Sequence, residues 1–329
     1  MKDIGIDLGT ANILIYIKGQ GIVLNEPSVV AIDTDNKKPL AFGEEANQML
    51  GKTPFKVKAI KPMKDGVIAD FQVTELMLDY FVNKIKVRGL FSKPRIIICC
   101  PADTTPVEKN AIKEAAERLG AKKVFLEEEP KAAAIGVGLD ISKPNGNMII
   151  DIGGGTTDIA ILSLGGIVVS QSLKIAGNVF DNDIKEYIKN NYRLLIGDKT
   201  AQTIKHEIGS VFNSDEENEM EVRGRDLETG LPSIITINSL EIEEALKNNI
   251  NKIVTACKSV LEDTPPELSA DIIENGAVLT GGGSLLNGFK ELLEDELKIP
   301  IYLAESPLTS VAEGTGIMLD NLYLLDWLN

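Results

Sequence analysis

The chain has 329 residues, 43% hydrophobic and 25% charged, enough to bury a large core and to divide into two domains. Its 34 basic and 49 acidic residues give a formal net charge of −15, which argues against a nucleic-acid partner, because holding a phosphate backbone needs a basic face. Anionic lipid is repelled as well, unless a local patch overrides the average.

The N-terminal MKDIGIDLGT lacks a charged leader followed by an apolar core. No apolar run reaches the roughly 20 residues that span a bilayer, so the chain reads as neither exported nor integral. Ile4–Ile6 and Ile13–Ile17 flank the polar turn DLGTAN, a hairpin signal. Arg95–Cys100 (RIIICC) is an unbroken apolar run that predicts a strand covered on both faces and ended by Pro101. Thr105 then reads as an N-cap, with Pro106 at the first helical position and Glu108 completing a capping box. The predicted core stripe of this helix is Val107, Ala111, Ile112, Ala115 and Leu119, and Gly120 closes it. Val124–Leu126 returns as a strand, completing a βαβ unit, and Pro130 opens another helix directly behind three glutamates.

The second half repeats this grammar. Residues 148–158, MIIDIGGGTTD, follow the pattern of 3–12, DIGIDLGTAN: an apolar strand, an aspartate, a Gly/Thr turn and a second strand, here Ile159–Leu162. Asp7 and Asp151 are 151 − 7 = 144 residues apart, so a duplicated architecture with a cleft between its halves is expected. Segments of about 32–61 and about 179–239 carry more charge and less regular pattern, and read as insertions; DEENE at Asp215–Glu219 reads as a solvated loop. Near the end, AVLTGGGSLLNG places a strand, Ala277–Thr280, before a glycine turn and an amphipathic helix with Leu285, Leu286, Phe289, Leu292 and Leu293 on one side. The three cysteines, Cys99, Cys100 and Cys257, show no metal-ligand spacing and fit a reducing cytoplasm.

Three glycine-rich turns each follow an apolar strand: Gly9-Thr10, Gly153-Gly154-Gly155 and Gly281-Gly282-Gly283. Glycine lets backbone N–H groups approach an anion closely. One such turn alone is equally well a plain tight turn; three with flanking acids and hydroxyls point to a polyphosphate. Asp7 and Asp151, at strand ends facing a cleft, tolerate phosphates only with a hard cation between, and Mg2+ with retained waters is the natural choice. The plainer reading of each aspartate is an Asx-turn or cap. Thr10, Asn12 and Thr156 offer side-chain donors to phosphate oxygens. Glu129, immediately before Pro130, either caps its helix or orients and polarises a water attacking a γ-phosphate in line, and the two roles are compatible. Glu127 and Glu128 lack that position and read as surface charge. His206 is the only histidine, which excludes a His-based triad or a His-rich metal site.

The set DLGTAN, EEEPKAAAIG, DIGGGTTD, LTGGGSLLNG and SPLTSVAEGTG, in this order and spacing, resembles the five-part nucleotide site of the actin, Hsp70 and sugar-kinase superfamily. Between these motifs, NEPSVVAID, KPMKDGVIADF, SLGGIVVSQS, RGRDLETGLP and TPPELSADII resemble the MreB/Mbl family of bacterial actins over nearly the whole chain, the Mbl branch above all. The resemblance implies an α/β, actin-like fold of two RNase H-like domains, each with an inserted subdomain. Domain I would comprise 1–141 plus 308–329 with its insertion at about 32–61, and domain II would comprise 142–307 with its insertion at about 179–239. It further implies ATP or ADP with Mg2+ in the cleft, and slow ATP hydrolysis coupled to filament assembly. Asp7, Gly9, Thr10, Ala11 and Asn12 would form the first phosphate loop, and Gly153, Gly154, Gly155 and Thr156 the second. Asp7 and Asp151 would position Mg2+ mainly through water, while Glu129 and Thr156 would hold the lytic water. Gly281, Gly282, Gly283 and Ser284 would contact the nucleoside, with Gln202 at the ribose and Lys205 bordering adenine. Gln202 departs from the family's usual glutamate, exchanging a carboxylate contact for an amide one, and Asn178 stands where the family has aspartate.

The implied partners are further copies of the chain in protofilaments and paired filaments, the anionic cytoplasmic membrane, and cell-wall elongation proteins. The implied location is the cytoplasm, peripheral on the inner face of the cell membrane. Residues 84–95, KIKVRGLFSKPR, place Leu90 and Phe91 at a loop tip flanked by Lys84, Lys86, Arg88, Lys93 and Arg95, a pattern suited to an anionic lipid interface. The plainer reading tucks both apolar residues into the core. The C-terminal LYLLDWLN is expected to pack on the body, with a lipid or partner contact as the alternative. A sugar or acetate kinase would need an acceptor pocket and a second base, and an Hsp70-like chaperone would need a peptide-binding domain; neither has a candidate in this sequence.

Overall fold

The computed structural model describes residues 3–85, 93–212 and 218–321. In the first half, β1 (Ile4–Leu8), β2 (Asn12–Ile17) and β3 (Gly21–Pro27) form an antiparallel meander. A small inserted sheet follows, made of β4 (Val30–Asp33), β5 (Pro39–Phe42) and β6 (Val57–Ile60), with helix α1 (Glu44–Gln48) and its own core of Val29, Ala31, Ala41 and Ala46. The chain returns through the hairpin β7 (Met63–Lys64) and β8 (Val67–Ile68) to α2 (Phe71–Lys84). Then β9 (Arg95–Cys100), α3 (Pro106–Arg118), β10 (Lys123–Glu128) and α4 (Glu129–Gly136) complete the half. Strands β9 and β10 add parallel to β1, giving the order β10-β9-β1-β2-β3.

The second half copies this connectivity. β11 (Asn147–Ile152), β12 (Thr157–Ser163) and β13 (Gly166–Leu173) form the meander. α5 (Gly177–Tyr192) leads to an inserted sheet of β14 (Leu194–Leu195), β15 (Glu219–Asp226) and β16 (Pro232–Asn238), with α6 (Asp198–Ile208) inside the same insertion. After α7 (Ser239–Glu262) and α8 (Pro266–Asn275), β17 (Ala277–Thr280) pairs parallel to β11 and β18 (Ile301–Leu303) pairs parallel to β17. The order is therefore β13-β12-β11-β17-β18, the same arrangement as in the first sheet. A 3-10 turn (Gly282–Leu285) and α9 (Phe289–Leu297) lie between these last strands, and α10 (Ser310–Asp320) ends the described chain.

Each sheet has its own apolar core. Ile4, Ile6, Ile13, Met77 and Phe81 anchor the first, and Ile150, Ile161, Phe180, Ile253 and Phe289 the second. A third cluster lies between the sheets, joining Ile97 and Cys99 of β9 to Ile149 of β11 and Ala160 of β12 through Ala132–Ala134 of α4 and Val311 of α10. Helices α4 and α10 touch backbone to backbone there. A Cβ on Gly136 would lie 1.8 Å from the Ser310 carbonyl oxygen, and one on Gly314 would lie 1.9 Å from that of Ala132. This close crossing fixes how the two sheets, and the turns at their strand ends, face each other.

The capping box of α3 forms as expected: Thr105 Oγ1 accepts from the Glu108 amide, and Glu108 Oε2 accepts from the Thr105 amide at 2.8 Å. Its core stripe differs at one end. Ile112, Ala115, Ala116 and Leu119 are buried, but Val107 is 78% exposed, because five residues at 100° each place it about 140° round the helix from Ile112. The amphipathic helix expected after the third glycine turn is broken. Gly288, at φ +78°, restarts the chain as α9 with Phe289 and Leu293 inward, and Leu285 is left 53% exposed. Glu127 is not surface charge: it is buried, its carboxylate 3.3 Å from Lys131 Nζ.

Candidate active site

The strand registers make the two leading turns equivalent. Leu8 pairs with Ile13 and Ile152 with Thr157, so each turn has four residues, Gly9–Asn12 and Gly153–Thr156. They meet tip to tip. A Cβ on Gly154 would fall 2.6 Å from that of Ala11, and one on Gly155 would fall 2.3 Å from Thr10 Oγ1. Between and beside them opens a cavity of about 830 Å³, within the range of small-molecule and cofactor sites. Asp7, Gly9, Thr10, Ala11, Asn12 and Glu129 line it from the first half; Asp151, Gly153, Gly154, Gly155 and Thr156 line it from the second.

The cavity's other wall comes from α6 and the third glycine turn. Ala201, Ile204 and Ile208 bury one face of α6, which leaves Gln202, Lys205 and His206, at helical spacing, on the cavity side. Lys205 is held in place: its Nζ lies 2.8 Å from Asp181 Oδ1 and donates to the Gly177 carbonyl at 2.9 Å. Gly281, Gly282 and Gly283 line the cavity. Gly281 needs to be glycine, with φ +82° and a would-be Cβ 2.3 Å from Asp151 Oδ1. Ser284 does not line it. Its hydroxyl turns back to the Gly281 carbonyl at 2.6 Å, so it braces the turn instead of facing a ligand.

Thr10 Oγ1 accepts from the Gly66 amide at 3.0 Å, and Asn12 donates one amide hydrogen to Asn25 Oδ1 at 2.7 Å, keeping its second for a ligand. Gly66 was missed from sequence. It is the tip of the β7–β8 hairpin, where Asp65 and Gly66 both take positive φ, and it reaches within 2.9 Å of the Thr156 methyl when a Cβ is built on it. The dipeptide Asp65-Gly66 was the available signal for that turn. Asn178 caps the other side: its amide donates to the Gly154 carbonyl at 2.8 Å, tying the start of α5 to the second turn through backbone, not side chain.

The electrostatics of the cavity are those of crowded acids. Burial raises Asp7 to about 7. Glu129 is pushed well above the carboxylate range by burial, then by Asp158, Asp7 and Asp151, and Asp151 likewise by burial and the same neighbours. Asp158, also absent from the sequence reading, is raised to about 6 by burial, against hydrogen bonds from Ser172, Thr156 and the Ala102 amide that lower it. Acids this close and this buried stay ionised only opposite positive charge. Among the described residues no three metal-ligating side chains close on one point; a hard divalent cation that keeps most of its waters needs only one or two carboxylates beside a phosphate, which Asp7 and Asp151 supply. The donor set therefore fits Mg2+.

Leu90 and Phe91 lie outside the described residues, as do most of DEENE and all of LYLLDWLN. Two of the five cations expected around that loop are engaged elsewhere. Lys84 Nζ donates to Glu26 Oε1 at 2.7 Å, and Arg95 pairs with buried Asp3. Burial would raise Asp3, but the Arg95 hydrogen bonds and charge hold it below its usual value. No described helix is long and apolar enough to cross a membrane.

Comparison with known proteins agrees with this geometry. The MreB/Mbl protein family profile matches residues 1–326. The cell shape-determining protein Mbl of Bacillus subtilis is 60% identical over 321 residues, 98% of this chain and 96% of that protein. The cell shape-determining protein MreB of Escherichia coli K12 is 54% identical over 324 residues, covering 97% and 93%. Among solved structures, MreB5 of Spiroplasma citri bound to ADP superposes with a TM-score of 0.93 at 42% identity, over 98% of this chain and 97% of that one. A MamK double helical filament matches in fold, with a TM-score of 0.82 at 22% identity over 97% and 98%. The fold is actin-like, its doubled sheets and insertions are those of two RNase H-like domains, and the chain belongs to the MreB/Mbl family of cell shape-determining bacterial actins.

Proposed function

We propose that the chain binds ATP with Mg2+ in the cavity between its two halves, hydrolyses it, and assembles with further copies of itself into filaments. The observation that carries this reading is the meeting of two equivalent acid-and-glycine turns over one cavity that also holds Glu129. The nucleotide-bound relatives, MreB5 with ADP and with AMPPNP, support it. Backbone N–H groups of Gly9–Asn12 and Gly153–Thr156 face the phosphates, and Gly281–Gly283, with Gln202 and Lys205, border the nucleoside. Asp7 and Asp151 would hold Mg2+, and the ion would supply charge neutralisation of the phosphate oxygens. The oxygen of a water held by Glu129 and Thr156 attacks the γ-phosphorus in line; the bond to the β–γ bridging oxygen breaks, its electron pair leaves with ADP, and Glu129 accepts the water's proton.

The two-domain partition, 1–141 plus 308–329 against 142–307, is supported by α10 packing on β1, β2 and β9 of the first sheet. ATP spanning both halves would favour the closed, polymerising geometry, and hydrolysis would release it. Filaments lie on the inner face of the cell membrane, with Leu90 and Phe91 as the contact, and organise cell-wall elongation proteins along the cylinder. A single shallow insertion is weak, and many subunits on one polymer make it sufficient.

Sedimentation after addition of magnesium ATP, with phosphate release followed in parallel, tests the assembly. The filament reading expects protein in the pellet and phosphate without any acceptor; protein that stays soluble and consumes a small acceptor would make it a kinase. Replacing Leu90 and Phe91 by serine should abolish co-sedimentation with anionic vesicles while assembly persists, and retained vesicle binding would remove the loop from that role.

A further inference from the structure

The two leading turns are held from behind by different means. In the second half, the amides of Gly177 and Asn178, at the start of α5, donate to the carbonyls of Gly153 at 3.2 Å and Gly154 at 2.8 Å. Those bonds are backbone to backbone. In the first half the turn carbonyls are held by one residue, Ser28, at the junction between β3 and the inserted sheet. Its hydroxyl donates to the Gly9 carbonyl at 2.8 Å, and its amide donates to the Ala11 carbonyl at 2.8 Å. Ser28 is wholly buried and does not line the cavity, whereas Gly9, Thr10, Ala11 and Asn12 do. The segment that carries Ser28 is itself anchored. Glu26 accepts from the Glu44 amide at 3.0 Å and from Lys84 at 2.7 Å, and Asn25, at the cavity, accepts from Asn12 at 2.7 Å.

A peptide unit is planar and trans, so its N–H points opposite to its C=O. The Gly9 carbonyl shares its plane with the Thr10 amide, and the Ala11 carbonyl shares its plane with the Asn12 amide. Holding both carbonyls at Ser28 therefore turns the Thr10 and Asn12 N–H groups the other way. Among the described residues the Thr10 amide has no protein acceptor, and a donor so left needs one from a ligand or solvent. We propose that Ser28 is a positioning residue of the nucleotide site: by holding the carbonyls of Gly9 and Ala11 it aims the N–H groups of Thr10 and Asn12 at the phosphates. Of its two bonds, the hydroxyl one is open to substitution. Without it the Thr10 peptide is free to rotate, while the Ala11 carbonyl keeps the Ser28 amide. The inference rests on the nucleotide reading of the cavity.

The test follows magnesium ADP and magnesium ATP binding to the full chain by calorimetry, together with the Thr10 amide resonance in the NMR spectrum of the isotope-labelled chain. Ser28→Ala should weaken both nucleotides by about tenfold and reduce the displacement of the Thr10 resonance at saturation. Thr74→Val serves as the control. It removes another wholly buried hydroxyl of the first half, one that donates to the Asp70 carbonyl at 2.8 Å at the start of α2, and should leave affinity within about threefold of the parent. Parental affinity in folded Ser28→Ala, an unchanged Thr10 displacement, or an equal loss in Thr74→Val would overturn the proposal. If Ser28→Ala does not fold, Ser28→Cys, whose thiol is a weaker donor, replaces it with the same deciding outcomes. A parent chain that takes up no nucleotide would instead sink the reading of the cavity itself.

Discussion

The turns Gly9–Asn12 and Gly153–Thr156 occupy equivalent places in equivalent sheets, yet they do different work. The first supplies side chains. Thr10 and Asn12 are already engaged, one with Gly66 and one with Asn25, and are thereby aimed. The second supplies room: Gly154 and Gly155 leave the space into which Ala11 and Thr10 press from the opposite half. A duplicated device has thus become a knob and a socket, and the contact between them is what brings two distant parts of the chain to one cavity.

The comparison breaks most severely where the socket is filled. Gly155→Ala puts a Cβ 2.3 Å from Thr10 Oγ1 and should force the turns apart, lowering magnesium ATP affinity by about 100-fold or more in calorimetry, about 2.7 kcal/mol. Gly153→Ala in the same turn meets only the Thr156 carbonyl at 3.3 Å and should be far milder; equal losses would show that contact with the first turn is irrelevant. Glu129→Ala should keep nucleotide uptake while phosphate release falls by about 100-fold. Unchanged release would take Glu129 out of the reaction.

A smaller effect concerns the cost of the crowded acids. The folded value of Asp7, about 7, lies above its unfolded value of 3.8. The folded chain therefore binds that proton more tightly between these values, and ligand-free stability should fall as pH rises from about 4 to about 7, then level off. Glu129 and Asp151 act in the same direction. Asp7→Asn should raise the ligand-free melting temperature at pH 8 and flatten its pH dependence, at the expense of nucleotide uptake; a melting profile parallel to the parent's would deny that Asp7 is strained by burial. Smallest of all, Gln202→Glu puts a carboxylate on the cavity face of α6, which the proposed site sets at the ribose, and should tighten ATP binding by about threefold, measured by competition; no change would take position 202 out of nucleotide contact.

The duplication was legible in the sequence because its period is carried by strongly patterned strands: the 144-residue offset between Asp7 and Asp151 is the offset of the two sheets. The three glycine turns and Glu129 were legible for the same reason, each standing at a strand end or a helix start; Gln202 and Lys205 entered only through the family resemblance. Contacts made across the fold were not. Asp158 looks like an ordinary polar start to a strand until Ala102 of the other half is brought to it, and Gly66 sits on a two-residue hairpin too short to show a period. Ser284 belongs to a conspicuous motif, but a 3-10 turn redirects its hydroxyl inward. Glu127 was misjudged because i,i+4 pairing with Lys131 lets a charged residue be buried at the base of α4.

Calorimetric titration of ATP with magnesium into the parent chain and into Gly155→Ala, at one pH, bears most directly on the shared two-turn cavity. One nucleotide per chain in the parent, with binding lost in the variant, is the expected result. No heat of binding in the parent, or undiminished affinity in the variant, would contradict it.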